Sequence, residues 1–377
     1  MKIKAAVLHE MGRPAPYAQS LPLSIETLDL APPGPEEVLV RIMAAGLCHS
    51  DLSVINASRP RPMPMVLGHE AAGVIEQIGK DVTGFSVGDH VVMAFTPSCG
   101  HCPTCSGGRP AMCEPGGAAN AAGTLIDGAV RLSLDGRPIH HHLGVSAFAD
   151  HAVVSPNSLV KIDPGVPFAE AALFGCAVMT GVGAVVNTAK VGMGTTVAVV
   201  GLGGVGLSAV MGARAAGARE VIAIDLSDVK LALAREVGAT AVINAAAPDA
   251  LDQVRRLSAG GVDYAFEMAG SIRALESAVE MTRRAGGMTV TAGLPPHDAT
   301  LPVNISRLVA EERTLAGSYM GTCVPVRDIP RYIEMYRAGR LPVDRLLSGR
   351  IALEGINAAF DRLNAADVVR QVIEFPA

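Results

Sequence analysis

At 377 residues the chain is too long for one ordinary hydrophobic core, so two domains are expected. It is 49% apolar and 18% charged, with 3% aromatic residues, no Trp and a formal net charge of −5. Stacking of bases on aromatic platforms and attraction to phosphate backbones or anionic membranes are therefore poorly served, and no nucleic-acid or membrane partner is expected.

Met1 to Val7 runs into His9-Glu10 before any long apolar stretch, which does not read as a signal peptide. The first part reads as β-rich, with short apolar strands at 38–42, 72–76 and 90–93, punctuated by Pro33-Gly34, Gly79 and Gly88-Asp89. Between the first two lies a stiff loop, Arg59-Pro60-Arg61-Pro62-Met63-Pro64. Residues 171–189 and 191–213 carry no charge and are long enough to span a bilayer. Gly, Thr and Asn recur through both, however, and buried parallel strands with their helices have the same composition, which is the reading preferred here.

Near Ala177 the rhythm changes to strands alternating with helix-length segments. Strands are expected at 197–200, 221–225, 241–243, 264–267 and 288–291, with Ser227 capping a helix to Val237. That is the pattern of a doubly wound α/β parallel sheet. After about Tyr319 the pattern is mixed again, and the tail is expected to return to the first domain.

Between the first two of these strands lies Gly201-Leu202-Gly203-Gly204-Val205-Gly206. Gly201 would make the tight turn, Gly203 admit a pyrophosphate to the backbone, and Gly206 allow close packing of helix on strand. Asp225 ends the next strand, where a carboxylate accepts hydrogen bonds from an adenosine ribose and repels a 2′-phosphate. NAD is thus expected rather than NADP, and Lys230 is placed to reach the ribose.

Seven cysteines and several histidines divide into two sets. Cys99, Cys102, Cys105 and Cys113 form a compact C-x2-C-x2-C-x7-C run, a closed tetrahedron of the kind that holds structural zinc. Cys48, His69 and Cys176 offer two thiolates and an imidazole, which leaves a fourth zinc position open; a water or alcohol there would ionise near neutral pH. Asp51 is expected to fix the His69 tautomer, and Glu70 to be a neighbouring carboxylate or transient ligand. His140-His141-His142 has no neighbouring carboxylate or Cys in sequence and reads as loop or pocket-wall residues. Cys323 reads as a small core hydrophobe.

Gly68-His69-Glu70-x2-Gly73-x5-Gly79-x2-Val82 resembles the zinc signature of the medium-chain zinc alcohol dehydrogenases. Cys48-His49-Ser50-Asp51, the four-cysteine lobe, Phe174-Gly175-Cys176 and the glycine turn follow in that family's order, and the resemblance runs to Val368-Val369-Arg370. It is closest to the branch of liver-type and glutathione-dependent enzymes, through the insertion from Glu114 to Val145.

The resemblance implies a GroES-like catalytic domain (1–177 and 320–377) around a Rossmann domain (178–319), two zinc ions per chain, a cytoplasmic homodimer, and oxidation of primary alcohols to aldehydes with NAD. The alternative it leaves open is a thiol-dependent formaldehyde dehydrogenase. It implies that Ser50 starts a proton relay, that His49 and Arg370 contact pyrophosphate, and that Gly204 and Val205 supply backbone contacts. Val205 and Thr180 would back the nicotinamide, while Phe95, Leu143 and Leu294 wall the substrate pocket. Three departures stand out: Ser53 where some members end the relay on histidine, Arg59 at a pocket-wall position in a basic loop that is acidic in glutathione-dependent members, and His142 in place of an aromatic.

Overall fold

The computed structural model describes residues 1–95, 97–296 and 298–376. Its contacts gather into two units, one of Met1–Cys176, Val324–Arg331 and the chain from Leu347 onward, the other of Ala177–Cys323 and Tyr332–Leu346. The strands in chain order are β1 (Lys2–Leu8), β2 (Leu23–Leu30), β3 (Val38–Gly46), β4 (Met65–Val66), β5 (Glu70–Ile78), β6 (His90–Met93), β7 (Leu132–Leu134), β8 (Arg137–His141), β9 (His151–Val154) and β10 (Leu159–Lys161). The second unit holds β11 (Thr196–Val200), β12 (Glu220–Asp225), β13 (Ala241–Asn244), β14 (Tyr264–Glu267), β15 (Met288–Thr291) and β16 (Thr314–Gly317), after which β17 (Leu347–Ile351) and β18 (Arg370–Glu374) rejoin the first.

In the first unit β1, β2, β7, β8 and β4 close into a barrel, and a second sheet runs β10-β6-β5-β3-β18-β17 with β9 also on β3. Closure satisfies the edges that a small open sheet would leave exposed. Val7, Leu28, Leu30, Val66, Leu132 and Ile139 fill part of the barrel core. Short β4 runs parallel to β8, setting Met65 opposite His140 and Val66 opposite His141. That register brings the His140–His142 segment alongside the chain entering Gly68-His69.

The second unit is a six-stranded parallel sheet in the order β13-β12-β11-β14-β15-β16. Numbered within the unit this is 3-2-1-4-5-6, the doubly wound order, whose switch point lies beyond the carboxyl ends of β11 and β14. All five residues of β11 are buried, as a central strand covered on both faces requires. The strands expected at 197–200, 221–225, 241–243, 264–267 and 288–291 all form within a residue of their expected ends. Ser227 does precede the helix Asp228–Glu236, but its side chain makes no capping bond. Its expected capping role is therefore corrected: the first turn is tied down instead by Asn244 Nδ2, which donates to Asp228 at 2.8 Å.

One described helix, Phe168–Thr188, is apolar and long enough to cross a membrane, and 94% of its apolar window is buried within the protein. It accounts for the first uncharged run as core. Two wide π-type turns interrupt it, at Phe174–Val178 and Ala184–Thr188.

Candidate metal centre and nucleotide turn

Cys48 caps the helix His49–Ile55, and Asp51 completes a capping box by accepting the Cys48 N–H at 3.3 Å. The same carboxylate reaches across to the β4–β5 connection. Its Oδ1 accepts the Gly68 N–H at 3.1 Å and faces His69 Nδ1 at 3.0 Å, so His69 turns Nε2 away from it. Cys176 sits in the first π-type turn, a local widening that re-aims a side chain. Gly175 permits its approach: a Cβ there would lie 2.3 Å from the Met93 carbonyl oxygen.

Cys48, His69 and Cys176 are thereby gathered, buried, with ligand atoms all within 4.8 Å of one another. Cys176 Sγ lies 3.5 Å from His69 Nε2. A tetrahedral zinc with ordinary Zn–S and Zn–N bonds would set these atoms about 3.6 Å apart. The donor set and its spacing fit a zinc ion with three protein ligands.

Charge at the cluster points the same way. A hydrogen bond from Cys176 holds the Cys48 thiol well below its usual range against the cost of burial, with Arg370 and His69 assisting. That bond and burial push Cys176 well up. One thiolate beside one thiol is what two crowded sulfurs settle for without a cation; a divalent ion would take the second proton's place. Burial alone would raise Asp51, but the His69 imidazole, with its hydrogen bond, and the nearby His142 ring hold it below the usual carboxylate range. Burial would likewise lower His69, and Asp51 and Cys48 raise it well above its ordinary value.

Around the cluster lie further groups, some of them expected here from the sequence and others not connected with it. Glu70 is fully buried, pushed up to about 7 by burial against the pull of Arg370, and neither carboxylate oxygen has a hydrogen-bond partner. Arg370, expected at the pyrophosphate, has its guanidinium 3.5 Å from Glu70 Oε1 and 3.8 Å from Cys48 Sγ. Ser50 Oγ lies 3.8 Å from Cys48 Sγ. Ser53 donates its hydroxyl to the His49 carbonyl at 2.9 Å, and His49 itself is exposed. Phe95 meets the His69 ring edge-on at a centroid distance of 5.1 Å. His142 was read as loop or pocket wall with no carboxylate beside it; the fold brings its Nδ1 to 3.3 Å from Asp51 Oδ1. No local pattern could reveal that contact, because it depends on the β4–β8 register. Leu143 follows at the same buried turn, whereas Arg59 is half-buried after the Cys48 helix, its N–H donating to the Ser53 carbonyl at 2.8 Å.

The second cysteine set is also assembled. Cys99, Cys102, Cys105 and Cys113 bring their sulfurs within 4.8 Å of one another, Cys102 and Cys113 being 3.9 Å apart. Sulfurs sharing a tetrahedral zinc would be about 3.8 Å apart. Backbone N–H groups of Cys102, Cys99 and Gly116 point at these sulfurs from 3.2–3.4 Å. The Thr104 hydroxyl pulls Cys102 down to about 5, while burial and the neighbouring Cys102 push Cys105 up to about 12. The four cannot all ionise together unless a cation joins them.

The glycine turn follows β11 in the second unit. Gly201 has a left-handed φ of +91°, and a Cβ on Gly206 would sit 1.8 Å from the Gly201 carbonyl oxygen. A Cβ on Gly203 would meet nothing within 4 Å, so the space above the N-terminus of the helix Gly204–Ala215 is left for a ligand. Asp225 accepts the Leu202 N–H at 2.7 Å and the Ser227 N–H at 2.9 Å, which fixes its carboxylate at the edge of the turn. Lys230 is half-buried on the next helix. Thr180 is buried on the helix Met179–Gly183, where a Cβ on Gly181 would meet the Val205 carbonyl oxygen at 2.2 Å, so Thr180 and Val205 lie on closely packed segments. Leu294, expected in the pocket wall, is 50% exposed on the segment after β15.

Residues 34–164 match the family described as alcohol dehydrogenase GroES-like domain, and residues 204–338 the family described as zinc-binding dehydrogenase. An alcohol dehydrogenase zinc-binding domain protein from Burkholderia ambifaria is 37% identical, covers 100% of both chains and superposes with a TM-score of 0.94. The chain belongs to the zinc-dependent medium-chain alcohol dehydrogenases. This dehydrogenase is also similar to benzyl alcohol dehydrogenase from Acinetobacter calcoaceticus, at 33% identity, 100% coverage of both chains and a TM-score of 0.93. A Sinorhizobium meliloti 1021 protein solved with NADP bound is 27% identical over 100% of both chains, with a TM-score of 0.81. The dehydrogenase is thus an oxidoreductase, and its expected α/β class, a GroES-like unit with a doubly wound parallel-sheet unit, is borne out.

Proposed function

We propose that this dehydrogenase oxidises primary alcohols, aliphatic or aromatic, to aldehydes with NAD, as a cytoplasmic homodimer of the branch that carries the 114–145 insertion, with its cofactor on the 178–319 region. The observation that carries the reading is the pair of cysteine sets, one of three ligands and one of four. We assign Cys48, His69 and Cys176 to a catalytic zinc, with Glu70 as a transient ligand, and Cys99, Cys102, Cys105 and Cys113 to a structural one. When bound, zinc supplies Lewis-acid activation of the alcohol oxygen and NAD accepts the hydride.

The chain's own residues do the rest. Asp51 keeps the proton on His69 Nδ1, leaving Nε2 as the ligand atom. Arg370 balances the thiolate and carboxylate charge around Cys48 and Glu70. Ser50 accepts the alcohol proton and passes it on. Ser53 is bonded to a backbone carbonyl and is no base near neutral pH, so the proton leaves through water. Asp225, anchored by two N–H groups, favours a ribose with free hydroxyls over a 2′-phosphate.

The test is NAD and NADP reduction on a panel of aliphatic, aromatic and acidic alcohols, compared by kcat/KM, with Cys48→Ala alongside. The wild type is expected to prefer NAD, and added thiol to leave formaldehyde oxidation unchanged. Cys48→Ala should lose turnover and one zinc while keeping the other. Full activity in that variant would end the proposal.

A further inference from the structure

The turn that carries His142 is built more elaborately than a pocket wall needs. Leu143, Gly144 and Ser146 have φ of 54°, 69° and 55°, so two residues with side chains occupy the left-handed region within four positions. The turn is closed on His142 itself. The His142 N–H donates to Ser146 Oγ at 2.9 Å, and its carbonyl accepts the Val145 and Ser146 N–H groups at 3.0 and 3.2 Å. The imidazole so held is 2% exposed, stands edge-on to the His69 ring at a centroid distance of 5.7 Å, and presents Nδ1 to Asp51 Oδ1 at 3.3 Å. The approach to Asp51 is a close polar contact without hydrogen-bond geometry, and Nδ1 has no hydrogen-bond partner among the described residues.

Asp51 is therefore approached by two imidazoles and two backbone N–H groups, and the His69 ring lies against both Phe95 and His142. A second cation among Asp51, His69 and His142 would need the His69 Nδ1 proton and the oxygen already taken by Gly68, so the arrangement serves the first ion instead.

We propose that His142 is a positioning residue for the catalytic zinc: through Asp51 it fixes the orientation of His69 and so slows loss of the ion. The strained turn Leu143–Ser146 exists to hold it there. This rests on the assignment of Cys48, His69 and Cys176 as ligands, and its failure is separable from the failure of that assignment. If the assignment is wrong, the wild type holds no ion at the three-ligand site. If only the role of His142 is wrong, the wild type holds one and the variants lose it no faster.

The experiment follows zinc release to a chromophoric chelator from the full-length, zinc-loaded enzyme, with the four-cysteine ion as internal reference. His142→Phe keeps an aromatic ring and removes the donor; His142→Asn puts an amide N–H near the position of Nδ1. His142→Phe is expected to release the catalytic ion about tenfold faster or more, with the reference ion unchanged. His142→Asn is expected to stay near wild type, and the cobalt-substituted enzyme to change its absorption with Phe but not with Asn. Equal release from His142→Phe and wild type overturns the proposal, as does equal acceleration by Phe and Asn, which would mark a packing role. If His142→Phe fails to fold, Ser146→Ala decides: it loosens the turn and leaves the imidazole, and unchanged release from it overturns the proposal.

Discussion

Gly203 and Gly206 are both glycines of one turn, yet they answer to different forces. Gly206→Ala would place a methyl 1.8 Å from the Gly201 carbonyl oxygen, an overpacking that costs about 3 kcal/mol. Gly203→Ala meets no atom within 4 Å and should change stability by about 1 kcal/mol or less. It should nonetheless weaken NAD binding by roughly tenfold or more, because the methyl occupies the space left for the phosphates. Thermal melts and calorimetric titration of the two variants check this; equal loss of stability would contradict it. His141 gives the pH prediction. Its Nε2 accepts the Arg131 N–H at 3.0 Å and so must be unprotonated, and burial, with His140 and Arg131, lowers it to about 4 from 6.5. The unfolded chain takes up that proton first, so the contribution is complete above pH 6.5 and is lost as pH falls towards 4. The loss is on the order of 3 kcal/mol and should shrink in His141→Asn when urea melts are compared across that range. The metal-type residues were legible because few functions need two thiols and an imidazole, and Asp51 could be paired with His69 from chemistry alone. The neighbours of His142 and Arg370 were not legible, because they are set by strand register and by β18, which no local pattern encodes.

Among the elements, the four-cysteine lobe depends most on what it binds. Its helices Pro103–Ser106 and Pro110–Met112 are too short to persist alone, and the described residues around them are largely exposed. Cys105→Ser should therefore loosen residues 97–113 locally, visible as faster proteolytic nicking there, while the barrel and the parallel sheet melt as before. Nicking spread over the whole chain would contradict that. Strands such as β11 and β12 were legible because β-branched runs between glycine turns have few alternatives. The two π-type turns were not, since a widened turn leaves no trace in residue spacing, and the one bearing Cys176 helps to bring it to Cys48 and His69. Ser227 shows the limit of capping signals: the residue stands at the expected position, but its side chain makes no capping bond.

For the whole molecule, length and composition pointed to two cores, and contacts gather into two units that part at Ala177, where strands begin to alternate with helices. The tail is less simple than an expected return to the first domain, because Tyr332–Leu346 packs with the second unit before β17 and β18 join the first. The proposed activity rests on two clusters of metal-type residues of different completeness, one of three and one of four. Zinc content combined with X-ray absorption at the zinc edge tests that directly. The account predicts two ions per chain with an average shell of three sulfurs at about 2.3 Å and one lighter ligand near 2.0–2.1 Å. A single ion in an all-sulfur shell, with the enzyme fully active, would contradict it.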